Sequence, residues 1–147
     1  MAESIQYLRL ALQGAYYLLP SPASLAIEQR DALTLENGTG PLVAWRSSRQ
    51  SRWPVYCLDA QLKPTRHNDW RRAVFVEGSN GGVGLAVDEA QLLAKSDMHI
   101  APFVPLGAAP TRFGHLLNAA WVDGAGVTLA LDPKALGTYL RSLGEAS

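Results

Sequence analysis

The stretch GGVGLAVDEA, residues 81–90, joins a glycine turn, a short apolar run and two neighbouring acids. Two readings compete for it: a carboxylate pair for acid–base chemistry, or the end of a β-strand. Val83, Leu85 and Val87 alternate with Gly84 and Ala86, the period-two pattern of a strand with a buried face. Neighbouring residues on a strand point to opposite faces, which argues against a shared acid–base site, and Asp88 reads as a strand end that binds nearby backbone N–H groups. The stretch also contains Gly-x-x-Gly, but no Gly-x-Gly-x-x-Gly leads into a helix and no Gly-Lys-Ser/Thr loop exists in the chain. A nucleotide site is therefore not supported.

Outward from this strand, most of the chain reads as short strands parted by turns. Tyr7 to Leu12 alternates with Leu8, Leu10 and Leu12 on one face, and Gln13-Gly14 turns it into Ala15 to Leu19. Ser24 to Leu35 is expected to hold a short helix carrying Leu25, Ala26, Ala32 and Leu33, although Thr34-Leu35 before ENGTG also suits a strand and turn. Pro41 to Trp45 and Trp53 to Leu58 read as strands joined by the basic connection RSSRQSR, and Lys63 to Arg72 as a loop. Ala73 to Val76 pairs with Val83 to Val87 through EGSNGG, and a last hairpin spans Leu116 to Leu131 with the turn DGAG. Asp132-Pro133 sets an N-cap before proline at the first helical position, so a helix is predicted to about Leu143 with Leu136, Leu140 and Leu143 on one face. This pattern predicts an all-β barrel or sandwich.

Composition bounds what such a fold does. With 147 residues, 48% of them hydrophobic, the chain is long enough to bury a real core. Thirteen basic and thirteen acidic residues cancel, leaving no overall field to gather nucleic acid or anionic lipid. The one cysteine, Cys57, rules out an internal disulfide framework and fits a reducing compartment, so the cytoplasm is the expected location. The apolar N-terminal run is interrupted by Arg9, Gln13 and Gly14 and preceded by Glu3, which reads as folded structure and not as a secretion signal. No run reaches the roughly 20 apolar residues of a membrane helix.

Few residues invite catalysis. His67, His99 and His115 are scattered with no ligand spacing, so no metal site is expected. Cys57 lies in an apolar strand, where a buried, inert thiol is expected, and Asp59 beside it supplies no positioned base. The connection RSSRQSR between Trp45 and Trp53 is the more informative feature. A solvated loop, a protein-binding loop on a rigid scaffold and a nucleic-acid patch rank in that order for it.

Read in order, YLRLALQGAYYLLP, WPVYCLDAQL, RRAVFVEGSNGGVGLAVDEAQLL and GVTLALDPKAL resemble the CheW-like domain, the adaptor module of bacterial chemotaxis-type signalling. The family's proline-led strand is matched by Pro54-Val55-Tyr56-Cys57-Leu58-Asp59, its Val-Asp strand by Val83 to Ala90, and its closing strand by Leu129-Ala130-Leu131-Asp132. The resemblance implies one domain over residues 1–147, built from two small five-stranded SH3-like β-barrels packed together, with a short C-terminal helix. It implies a protein without active site, cofactor or metal, which couples a histidine kinase of the CheA type, a chemoreceptor cytoplasmic tip, or both, through protein contacts alone. By spacing to Pro54, Arg49 takes the place of the family's interaction-region arginine, while Gln50 replaces the glycine that follows it. That departure points to a divergent or auxiliary adaptor, for example in a type IV pilus pathway. Partner contact is expected at Arg49, Arg46, Trp53 and Arg52; Arg49 comes from the resemblance and the others from expected exposure. Two rival classes are a barrel that binds a small ligand in an apolar groove between its halves, and an enzyme built on Cys57, His67 and Asp59.

Overall fold

The structure, a computed structural model, describes residues 6–47, 51–78, 81–93, 100–102, 116–123 and 126–145. The chain opens with a hairpin: β1 (Tyr7–Leu12) pairs antiparallel with β2 (Ala15–Pro20), from Leu12↔Ala15 to Tyr7↔Pro20. Its two turn residues, Gln13 and Gly14, both take positive φ (46° and 90°), the conformation that a two-residue hairpin loop demands.

The segment expected to hold a short helix does not form one. It divides into β3 (Ala26–Gln29), a single 3₁₀ turn (Arg30–Ala32) and β4 (Thr34–Leu35). Tertiary pairing overrides the weak helical stripe. A neighbouring strand, β7 (Arg72–Gly78), takes β3 along its edge in the register Ala26↔Phe75 to Gln29↔Arg72, and the backbone N–H groups of Leu25 and Arg30 donate to Phe75 and Arg71 carbonyls at either end. An unpaired edge beside this segment offers more hydrogen bonds than one helical turn could.

Next come β5 (Leu42–Ser47), β6 (Arg52–Cys57) and, after β7, β8 (Gly81–Val87), followed by β9 (Glu89–Leu92), β10 (Ile100–Pro102), β11 (Leu117–Asp123), β12 (Gly126–Leu131) and the helix α1 (Pro133–Glu145). The strands form two curled sheets, β10-β11-β12-β2-β1-β9 and β3-β7-β8-β6-β5-β4. The all-β architecture of two packed barrel-like halves with one C-terminal helix is thus present. Among the described residues each half has six strands, against five expected, counting the two-residue β4 and the three-residue β10. Because β1 and β2 belong to the same sheet as β9 to β12, the chain starts in the first sheet, leaves to build the whole second sheet, and returns.

The return is made at GGVGLAVDEA. β8 pairs with β7 and, in parallel, with β6 in the second sheet, while β9, one residue later, pairs with β1 in the first. Asp88 is the residue between them. Its backbone N–H donates to the Ala11 carbonyl and its Oδ2 accepts the N–H of Gln13 at 2.7 Å, so its carboxylate ties the seam to the first hairpin. Asp88 thus serves as the junction between two strands, and Glu89 opens β9.

Alternation distributes the apolar residues between cores. Val83, Leu85 and Val87 on β8, with Val74 and Val76 on β7 and Tyr56 on β6, join Leu8, Leu10 and Leu12 of β1 and Leu136 and Leu140 of α1 in one cluster that spans both sheets. The opposite face of the second sheet fills its own interior with Val55, Cys57, Ala73, Phe75, Ala86 and Trp70. Leu18, Ala119 and Ala130 form a smaller cluster in the first. Asp132 caps α1, accepting from the N–H groups of Lys134 and Ala135, and Gly137 lets the helix press against the Glu77 backbone, where any Cβ would collide with the carbonyl. Two phenols close the seam from the other side: Tyr17 of β2 donates to the Ala60 carbonyl and Tyr139 of α1 to that of Leu62. Burial first, and the nearby Asp59 second, raise the pKa of both phenols.

Candidate functional site

The predicted interaction residues lie on the β5–β6 hairpin. Its register sets Arg46 opposite Trp53, Ser47 opposite Arg52 and Trp45 opposite Pro54. Arg49, together with 48 and 50, lies outside the described residues. On a two-residue period, this pairing places Arg46 and Trp53 on one face of the hairpin and Trp45 and Arg52 on the other. The sequence therefore builds two Arg–Trp pairs, one per face.

The first pair faces the interior of the second sheet. The Trp53 ring packs against Phe75 with centroids 5.7 Å apart and planes tilted by 50°, and it lies so close over Gly82 that a Cβ there would collide with it. Arg46 covers this aromatic pair, its guanidinium 4.8 Å from the Trp53 ring centroid and 6.0 Å from that of Phe75. Its Nε reaches Glu28 Oε1 of β3 at 3.5 Å, with both side chains 31% exposed. Arg46 and Trp53 act here as the lid of a barrel, with the cation neutralised from within the chain.

The second pair faces away. Arg52 is exposed and stacks over Trp45 at 4.3 Å, while the Trp45 indole N–H donates to Glu36 Oε2 at 3.1 Å. Glu36, Glu28, Phe75 and Gly82 are the residues sequence reasoning missed. Gly81-Gly82 reads as turn glycine, and only the β6–β8 pairing reveals that Gly82 makes room for an indole two strands of sequence away.

The trio Cys57, His67 and Asp59 does not assemble a nucleophile and its base. Cys57 is 0% exposed, and burial pushes its thiol pKa up, while the His67 it meets offers a backbone N–H that works in the opposite direction. The His67 Nδ1 accepts from the N–H of Asp69. Asp59 Oδ1 accepts from the N–H groups of Gln61 and Lys63 and so shapes the turn. His99 and His115 lie outside the described residues, and among those described no three His, Cys, Asp or Glu side chains gather as a metal site. No helix among them is long and apolar enough to cross a membrane.

Beside the seam, a cleft of about 600 Å³ is lined by Gln29, Arg30, Asp31, Arg71, Arg72, Asp88 and Glu89 with Ala11. It is rich in charge, unlike the mostly apolar wall of a typical small-molecule site.

No family profile matches the sequence. No curated protein matches it either. Among solved structures, the chain is similar to the scaffolding protein TtCheW from Thermoanaerobacter tengcongensis, with a TM-score of 0.67 and 15% identity over 91% of this chain and 92% of that one. The chain therefore has the CheW-like fold.

Proposed function

We propose that this chain is a non-enzymatic adaptor of chemotaxis-type signal transduction, a single domain that works in the cytoplasm and couples a CheA-type histidine kinase, a chemoreceptor cytoplasmic tip, or both, by protein contacts alone. The observation that carries this reading is the likeness to a scaffolding protein along nearly the full length of both chains. The chemistry of the hairpin agrees with it, since Trp and Arg are the residue types that anchor protein interfaces. The buried Cys57 thiol with its raised pKa and the turn-forming Asp59 favour the adaptor over the enzyme. Divergence at Arg49-Gln50 favours an auxiliary role, such as one in a type IV pilus system, over a standard receptor–kinase array.

The test is direct binding. The purified chain is titrated against the regulatory region of a CheA-type kinase and against a chemoreceptor tip fragment, both from the source organism, with Arg49→Glu beside wild type after both are shown to fold equally. Saturable binding by wild type that weakens with Arg49→Glu supports the adaptor reading and its loop assignment. A folded wild-type chain that binds neither fragment overturns it.

A further inference from the structure

Four arginines stack on aromatic rings among the described residues. For three of them the chain itself supplies the acceptor that completes the guanidinium. Arg9 lies 4.9 Å from the Tyr16 ring centroid and donates to Gln91 Oε1 at 2.8 Å. Arg30 lies 4.8 Å from that of Trp70 and donates to the carbonyls of Asn68 and Trp70. Arg46, at 4.8 Å over Trp53, has the Glu28 carboxylate. Arg52 has the shortest stack of the four, 4.3 Å over Trp45, and among the described residues it has no acceptor or acid at all.

A guanidinium held over a ring loses part of its freedom while its N–H donors stay available at the rim. Such a fork matches a carboxylate through two parallel hydrogen bonds, with part of the ordering cost already met by the ring beneath. Trp45 is itself held, because its indole N–H is engaged by Glu36 and Thr34 of β4 lies opposite it in register. The sign of the complementary group follows from the guanidinium itself: Arg52 carries a full positive charge, Glu28 is paired with Arg46, and Glu36 is engaged by the Trp45 indole N–H. An anion therefore complements it better than a neutral carbonyl.

We infer that the outward face of the β5–β6 hairpin is a carboxylate-recognition site, in which Arg52 stacked on Trp45 receives an Asp or Glu side chain of a partner protein, as Arg46 receives Glu28 within the chain. This refines the adaptor reading by naming the chemistry of one partner contact, and its test does not need that reading to be right.

The probe is a short glutamate-rich peptide, with the glutamine analogue as control, followed by NMR through the Arg52 Nε–H and Trp45 Nε1–H signals. Both signals are expected to shift saturably with the glutamate peptide, to stay in place with the glutamine one, and to return as salt is raised. Arg52→Lys keeps the charge but loses the fork and is expected to weaken binding about tenfold, the worth of one charge-assisted pair. Absence of shifts, equal shifts with both peptides, or full binding by Arg52→Lys overturns the inference. If the peptide binds and neither the kinase nor the receptor fragment does, the site stands and the adaptor reading falls.

Discussion

The two faces of the β5–β6 hairpin carry the same pair of residue types and use them differently. Arg46 on Trp53 is an internal device: the indole fills the mouth of the second sheet against Phe75 and Gly82, and the cation above it is matched by Glu28. Arg52 lies over Trp45 in the same way on the other face, where it is exposed and pairs with no acid among the described residues. A residue type in a motif therefore does not announce its role. What separates the lid from the proposed contact is the face that strand alternation assigns and whether the described residues provide a counter-charge.

That contrast breaks most readily through the core on which the lid sits. Leu85, 1% exposed, stands in the cluster that spans both sheets, and Leu85→Asp should abolish cooperative folding, read by circular dichroism and thermal melting, because it buries a carboxylate with no partner. Trp53→Ala should cost about 3–5 kcal/mol in chemical denaturation, the range for emptying an aromatic site. If it costs under about 1 kcal/mol, Trp53 is not the lid described here.

Alkaline pH probes the seam between the sheets. The phenols of Tyr17 and Tyr139 have folded-state pKa values raised above the ordinary value near 10, so the folded chain holds protons that the unfolded chain gives up. Their contribution is complete below pH 10 and is lost as pH rises through the folded values. Stability is expected to fall above pH 10 in wild type, and to fall less steeply in the double Phe variant, which at neutral pH lacks two hydrogen bonds worth about 1 kcal/mol each. The smallest effects fall on the arginines. Arg46→Ala should cost about 1 kcal/mol for a partly exposed stack and ion pair, and Arg52→Ala no more than about 0.5 kcal/mol, both by denaturant titration.

Much of this fold is legible in the sequence, for stated reasons. Period-two alternation marks β1 and β8, an apolar run before a glycine-rich turn marks β7, Gln13-Gly14 marks a hairpin, and Asp132-Pro133 marks the start of α1; each is a local signal read by local physics. Residues 24–35 carry a weak helical stripe, yet what decides them is the edge of β7, which lies some fifty residues further along the chain. The candidate site is legible in type and not in arrangement. Arg46, Arg52 and Trp53 can be named from the sequence, but Glu28, Glu36 and Gly82 come to them only through cross-strand register, and no spacing in the chain encodes that. Asp88 was readable as a strand end from alternation alone, whereas its bond to the Gln13 N–H depends on how the two sheets meet.

The most direct measurement sets Trp53→Ala beside Trp45→Ala, with denaturation free energy and affinity for the kinase regulatory region and receptor tip determined on the same samples. The account predicts that Trp53→Ala loses about 3–5 kcal/mol of stability, while Trp45→Ala stays within about 1 kcal/mol of wild type and binds its partner about tenfold more weakly. If Trp45→Ala destabilises as much as Trp53→Ala, or is equally stable and binds as wild type does, the division of the hairpin into an inner lid and an outer contact is wrong.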